Sequence, residues 1–186
     1  MGAPAPSRRF IVDGRGVWLF DDLLDDTRPY VDALSQAPFT RTDFARPDTA
    51  GYRRWVMETR LDAPRRQPIW ALGERTASAA APKQRYVPYR AYTDIGRYGD
   101  MLVTHVDCLP GQGGLTAVWY LCESWDVEWG GETVFFDAAD EIALAVPPRP
   151  GRLVIFDGAI NHVARPPNRT CYHPRYMFAI KLQPAA

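Results

Sequence analysis

The sequence predicts a mainly β protein, a sandwich or a jelly roll with flanking helices. Three observations lead to this expectation. From residue 85 onward, short apolar segments follow one another at the spacing typical of antiparallel strands. Groups of glycine and proline that favour turns separate these segments, for example at 110–114 and 147–151. Apolar residues with helical periodicity occur earlier, near 27–37 and 68–80.

The 186 residues are expected to form one domain, because a chain of this length can bury a core of its own. Residues 1–9 lack periodicity and are expected to be disordered. Residues 10–84 should supply strands and helices that pack on the core, at 10–12, 17–20, 27–37, 54–61 and 68–80. The jelly-roll core, 85–182, should contain eight strands, at about 85–93, 100–107, 115–122, 132–137, 142–146, 152–157, 161–165 and 175–182.

Composition and charge argue against several classes of protein. Lys+Arg and Asp+Glu both number 22, so neither nucleic acid nor an anionic membrane surface is expected as a partner. No apolar run approaches the ~20 residues of a membrane span, and no signal peptide is visible. Three cysteines without a CxxC spacing indicate free thiols in a reducing compartment. We therefore expect a cytoplasmic protein.

One pattern in the sequence points to metal chemistry. His105 and Asp107 are two residues apart in a predicted strand, which would turn both side chains to the same face. His162 follows another predicted strand, 152–157, and would add a second imidazole. Two histidines and one carboxylate form the facial triad of non-haem Fe(II) oxygenases. The histidine–aspartate pair alone would also suit a satisfied polar pair at a strand end, so the prediction depends on the third residue.

Arg175 is a candidate for binding an anion beside this site. It opens a predicted apolar strand, and its planar guanidinium can hold a carboxylate through two parallel hydrogen bonds. The alternative is a surface charge, since arginine is abundant in this chain.

Six segments together resemble the prolyl-4-hydroxylase branch of the 2-oxoglutarate and Fe(II)-dependent oxygenases. They occur in the family's order, and a Gly-Asp pair precedes the histidine–aspartate motif at the family's offset. The segments are 98–107, 118–125, 129–136, 150–156, 162–166 and 175–176. The resemblance spans about residues 92–182 and implies a double-stranded β-helix core, that is, a cupin-like jelly roll.

The resemblance also implies a role for five residues. His105, Asp107 and His162 would bind Fe(II) as the catalytic metal ligands. Arg175 would bind the distal carboxylate of 2-oxoglutarate, and Tyr120 would donate its hydroxyl to the same carboxylate. The alternative for Tyr120 is an aromatic core residue.

One spacing departs from the family pattern. Arg175 follows His162 by thirteen residues (175 − 162), which is more than is usual in the family. Arg169 follows it by seven (169 − 162) and is therefore a rival for the carboxylate. Since Arg169 lies in a predicted turn, we expect Arg175 to be the residue that points into the barrel.

The expected reaction is hydroxylation of an unactivated C–H bond in a small molecule, an amino acid or a natural-product intermediate. It would consume O2 and 2-oxoglutarate and release succinate and CO2, with ascorbate as a reductant. Asp107 would fill the coordination position that a halide needs, which favours hydroxylation over halogenation. Two alternatives stay open: a peptidyl-prolyl hydroxylase that acts on a protein, and a catalytically inactive jelly-roll binding module.

Overall fold

Two β-sheets and two helices make up the described part of the chain. The computed structural model describes residues 4–42, 54–62, 68–82, 84–100 and 102–185. The elements are β1 (Arg8–Val12), β2 (Arg15–Phe20), α1 (Arg28–Ser35), β3 (Thr40–Thr42), β4 (Arg54–Thr59), α2 (Pro68–Ala80), β5 (Tyr86–Gly96), β6 (Leu115–Leu121), a short 3-10 helix (Val127–Trp129), β7 (Thr133–Phe136), β8 (Ile142–Val146), β9 (Leu153–Asp157), β10 (His162–Ala164) and β11 (Arg175–Pro184). The expectation of a mainly β fold with flanking helices is confirmed, and α2 spans the predicted interval.

The larger sheet has eight antiparallel strands in the order β1-β2-β9-β6-β11-β5-β4-β3, and the smaller has three in the order β10-β7-β8. Side chains on β11 alternate between two apolar layers, as a strand requires. Those with even numbers, from Tyr176 to Leu182, pack in the layer that contains both helices. Those with odd numbers, from Arg175 to Lys181, face the space between the sheets. Charged residues on this inner face of a buried sheet are candidates for function.

The N-terminal strand begins earlier than expected. β1 starts at Arg8, within the segment 1–9 for which no structure was expected, and residues 1–3 lie outside the described residues. The N–H of Ser7 donates to the Leu19 carbonyl of β2 at 2.8 Å. Neither of the two helices that the structure describes is long and apolar enough to cross a membrane.

The expected strand at 100–107 is wrong. The described residues of this segment, 100 and 102–107, form no regular ladder. His105 pairs with His162 in an isolated antiparallel bridge, with N–O distances of 3.0 and 2.9 Å. The N–H of Asp107 donates to the carbonyl of Gly158 at 2.7 Å. Two separate backbone anchors, rather than a continuous strand, therefore position His105 and Asp107.

Candidate metal centre

His105, Asp107 and His162 meet between the two sheets. Each offers one possible ligand atom, and these atoms all lie within 4.8 Å of one another. His105 Nε2 is 3.6 Å from Asp107 Oδ1, and His162 Nε2 is 3.6 Å from Asp107 Oδ2. Two imidazole nitrogens and a carboxylate that converge in this way are the donor set that suits Fe(II) with open coordination positions.

Backbone carbonyls orient both imidazole rings. His105 Nδ1 lies 3.0 Å from the Val103 carbonyl, and His162 Nδ1 lies 2.9 Å from the Ile160 carbonyl. A carbonyl oxygen only accepts hydrogen bonds, so in each ring the Nδ1–H donates. Both Nε2 atoms then carry the lone pair that a metal requires, and the outer contact fixes the direction of each ring.

The charge states of the site also suit a metal. Burial lowers the pKa of His162 to about 4, so its imidazole is neutral near neutral pH. Burial alone would raise the pKa of Asp107, but the Lys181 ammonium together with His162 and His105 outweighs burial, so this pKa lies well below its usual value. A neutral histidine and an ionised carboxylate are the forms that bind metal ions.

Two side chains of the large sheet contact the same oxygen of Asp107. The Thr116 hydroxyl of β6 donates to Asp107 Oδ2 at 2.6 Å, and the Lys181 ammonium of β11 donates to that atom as well. Lys181 Nζ also lies 3.3 Å from Thr116 Oγ1. Burial would lower the pKa of Lys181, but the Asp107 carboxylate together with Tyr92 and Tyr89 outweighs burial and raises this pKa, so the lysine is charged.

A cavity with an empty volume of about 520 Å³, including its mouth, reaches His105 and His162. A second, smaller cavity adjoins it and reaches Arg175. Five residues line both cavities: Arg54, Asp94, Leu102, Ala164 and Met177. A molecule that bridges the metal ligands and Arg175 would therefore run along this shared wall.

Arg175 lies inside the protein, whereas Arg169 is exposed. Arg175 is only 1% accessible, and its Nη2 donates to Thr133 Oγ1 at 3.2 Å. Its Nε has no hydrogen-bond partner within the part of the chain that the structure describes. Arg169 lies in the connection before β11 and is exposed. A buried guanidinium N–H without an acceptor lowers the stability of the fold, and a bound anion would supply that acceptor, so Arg175 is suited to bind an anion.

Tyr120 is buried beside Arg175 but is already hydrogen-bonded. Its hydroxyl lies 2.6 Å from Thr133 Oγ1 and 3.4 Å from the Val146 carbonyl. The Arg175 guanidinium carbon lies 5.3 Å from the centre of the Tyr120 ring, within the range of a cation–π contact. Thr133 thus connects Tyr120 with Arg175, which the sequence did not indicate.

Sequence reasoning missed three polar residues of the site: Asp94 and Lys181, which line the cavity, and Thr116, which contacts Asp107. Asp94 Oδ2 accepts a hydrogen bond from Arg54 Nη1 at 3.2 Å, and both side chains are largely buried. Burial outweighs the nearby cations and raises the pKa of Asp94 to about 6. The available signal was a charge in the middle of an apolar strand, as at Asp94 in β5 and at Lys181 in β11.

Comparison with protein families supports the interpretation of this site. Residues 92–180 match the model of the 2OG-Fe(II) oxygenase superfamily, and they include the whole His105–Asp107–His162 cluster. No curated protein matches the sequence.

Solved structures show the same fold at low sequence identity. A prolyl hydroxylase from Trichoplax adhaerens, in complex with a peptide of hypoxia inducible factor, superposes with a TM-score of 0.68 at 14% identity, over 90% of this chain and 83% of that one. The viral collagen prolyl hydroxylase of Paramecium Bursaria Chlorella virus-1 gives a TM-score of 0.64 at 14% identity, over 95% and 100%.

A non-heme alpha ketoglutarate dependent carbocyclase of nogalamycin biosynthesis gives a TM-score of 0.61 at 16% identity, over 92% and 80%. These similarities confirm the predicted jelly-roll core. The family match and the His-Asp-His cluster lead to one conclusion: residues 92–180 of this chain are a 2OG-Fe(II) oxygenase region that carries the metal-binding set of an enzyme of that class.

Proposed function

We propose that this enzyme hydroxylates an unactivated C–H bond of a small molecule, with Fe(II) held by His105, Asp107 and His162. The observation that carries the proposal is the position of the cavity. It touches both histidines and adjoins, along a shared wall, the cavity that contains Arg175. Metal, 2-oxoglutarate and substrate can therefore meet in one enclosed space.

The donor set fits the metal, and the buried guanidinium fits the cosubstrate. Arg175 would hold the distal carboxylate of 2-oxoglutarate, since its Nε lacks a partner within the described residues and a carboxylate supplies one. Tyr120 would support Arg175 through Thr133 and offer its hydroxyl to the same carboxylate. The bound iron and 2-oxoglutarate would together supply the oxidising power to cleave a C–H bond, with release of succinate and CO2.

The protein's own contribution is orientation and the exclusion of water. The carbonyls of Val103 and Ile160 fix both imidazoles before a metal arrives, so little reorganisation is needed. Apolar side chains, including Phe156 and Met177, line the cavity and keep solvent from the reacting atoms. Asp107 occupies a coordination position that a halide would otherwise take, which supports hydroxylation.

The walls of the cavity favour a compact polar substrate. Arg54 and Asp94 form a largely buried ion pair in the wall of the cavity, and the Tyr92 ring lines it as well. Such walls suit an amino acid or a natural-product intermediate. The alternative, a prolyl residue in a protein, has support from the structural similarity to prolyl hydroxylases. A catalytically inactive binding module is disfavoured because the metal-ligand cluster is complete.

The test begins with binding in the absence of O2. Fe(II) and 2-oxoglutarate should each bind with one-to-one stoichiometry to the wild-type protein. The matched variants are His162→Ala, which should lose iron, and His173→Ala, which should keep it because His173 is exposed and outside the cluster. Stoichiometric iron in His162→Ala would refute the ligand assignment.

The substrate class is tested by succinate release across a library, with and without ascorbate. Amino acids, glycosides and natural-product intermediates are screened beside prolyl peptides, and products are identified by mass spectrometry. We expect a gain of one oxygen atom on a small molecule. Turnover on peptides alone would replace the small-molecule proposal by the prolyl-hydroxylase alternative.

A further inference from the structure

The contact between Lys181 and Asp107 is an unusual feature of this site. Lysine is rarely buried, and Lys181 is only 6% accessible. It stands among apolar residues of β11, yet its ammonium turns inward to a carboxylate that is 74 positions away in the chain. The Asp107 side chain is 8% exposed, so water screens this ion pair very little.

The hydrogen bonds around Asp107 Oδ2 have one consistent direction. The Thr116 hydroxyl donates its proton to Oδ2 at 2.6 Å. The oxygen of the same hydroxyl can then accept from Lys181 Nζ at 3.3 Å, while Lys181 also donates to Oδ2. This closed triangle holds one carboxylate oxygen and so fixes the rotation of the whole carboxylate. In this orientation Oδ1 lies 3.6 Å from Nε2 of His105, and Oδ2 lies 3.6 Å from Nε2 of His162.

We propose that Lys181 and Thr116 are positioning residues that orient the Asp107 carboxylate toward the two imidazoles for metal binding. This inference rests on the proposed function of the triad. A carboxylate that could rotate freely would offer either oxygen or both to a metal, and the coordination geometry would vary. Outer contacts that orient a metal ligand typically change metal affinity by about 10- to 100-fold when they are removed.

A simpler role for Lys181 predicts the opposite result. If the ammonium acted only as a positive charge beside the site, it would repel a divalent cation, and its removal would tighten metal binding. If it orients Asp107, its removal weakens metal binding. The direction of the change in affinity therefore separates the two roles, and no turnover is required to observe it.

The experiment is an anaerobic titration with Co(II), whose visible absorption reports the coordination geometry. Wild type, Lys181→Met, Thr116→Val and Thr116→Ser are compared. Thr93→Val is the matched control, because Thr93 is equally buried but belongs to the helix side of β5. We expect Lys181→Met and Thr116→Val each to bind Co(II) about 10- to 100-fold more weakly with an altered spectrum.

The remaining variants complete the test. Thr116→Ser keeps the hydroxyl and should retain the wild-type affinity and spectrum, as should Thr93→Val. Unchanged or tighter Co(II) binding by Lys181→Met or by Thr116→Val would overturn the proposal. If Lys181→Met does not fold, Thr116→Val decides alone, since valine has nearly the shape of threonine. A wild-type protein that bound no Co(II) would instead refute the proposed function, so the two failures are distinguishable.

Discussion

The assignment of Arg175 leads to a quantitative prediction for 2-oxoglutarate binding. Arg175 is buried and its Nε lacks a partner among the described residues, so a bound carboxylate would be desolvated and held by two charge-assisted hydrogen bonds. Truncating one partner of such a buried pair costs about 2–5 kcal/mol. At about 1.4 kcal/mol per tenfold change in Kd, Arg175→Gln should weaken 2-oxoglutarate binding roughly 30-fold to 4,000-fold.

Arg169→Gln is the matched control for this substitution. Arg169 is exposed, so its removal should change the Kd by less than about twofold. Arg175→Lys keeps the charge but loses the planar fork, and its affinity should lie between those of wild type and Arg175→Gln. The assay is calorimetric titration of 2-oxoglutarate into the Mn(II)-loaded protein without O2, with the thermal midpoint of each variant recorded. A larger loss in Arg169→Gln, or equal losses in both, would refute the assignment.

Three further predictions concern pH, stability and products. The native pKa of Asp94 is about 6 and its ordinary value is 3.8, so the protonated carboxyl stabilises the fold at low pH and this stabilisation is lost as the pH rises. The free energy of unfolding of the wild type relative to Asp94→Asn should therefore fall by about 2 kcal/mol as the pH rises from about 4 to about 6. Urea denaturation at each pH measures this difference, and a constant difference would contradict the prediction. Asp21→Asn breaks a largely buried ion pair with Arg152 and should lower the free energy of unfolding by about 3 kcal/mol. Its neighbour Asp22 is exposed, so Asp22→Asn should change the free energy of unfolding by less than about 0.5 kcal/mol. Similar urea midpoints for the two variants would contradict this prediction. In chloride buffer the products should carry a hydroxyl group and no chlorine, because Asp107 would supply a ligand at the position that a halide needs. Mass spectrometry identifies the products, and a chlorinated product would contradict the assignment as a hydroxylase.

The metal-ligand cluster could be found from the sequence, although one reason for expecting it was wrong. Two residues separated by one position keep that spacing in any extended segment, so His105 and Asp107 stay close whether or not a strand forms. The structure replaces the expected strand by an isolated bridge to His162 and a hydrogen bond to Gly158. The local pattern therefore predicted the residues that lie together in the candidate ligand cluster, while the contacts that hold them are long-range.

The residues around the cluster could not be predicted in the same way. Lys181 and Asp94 are charged residues in otherwise apolar strands, and the partner of each comes from a distant part of the chain. Lys181 contacts Asp107, and Asp94 contacts Arg54 of β4, which lies 40 positions away. A single sequence shows that a charge is present in a strand. The partner that compensates for the desolvation of the buried charge can be identified only when strand order and register are known.

Strand register also explains why the long spacing between His162 and Arg175 leaves Arg175 inside the protein. The register of β11 fixes its position, since Arg175 lies opposite Gly96 of β5 and the next inward residue, Met177, lies opposite both Asp94 and Tyr120. The extra residues are taken up in the connection, where Asn168 accepts hydrogen bonds from Thr170 and its own N–H donates to the Trp129 carbonyl at 2.8 Å.

Chain distance from His162 is thus a poor guide to which arginine enters the site. A connection can lengthen on the surface at little cost, whereas a strand that shifted by one residue would turn Arg175 to the helix side and bury Tyr176 in the cavity. The alternation of β11 excludes that shift, because its even-numbered residues are apolar from Tyr176 to Leu182. Sheet register, and not loop length, therefore makes Arg175 the arginine that faces the space between the sheets, whereas Arg169 is exposed.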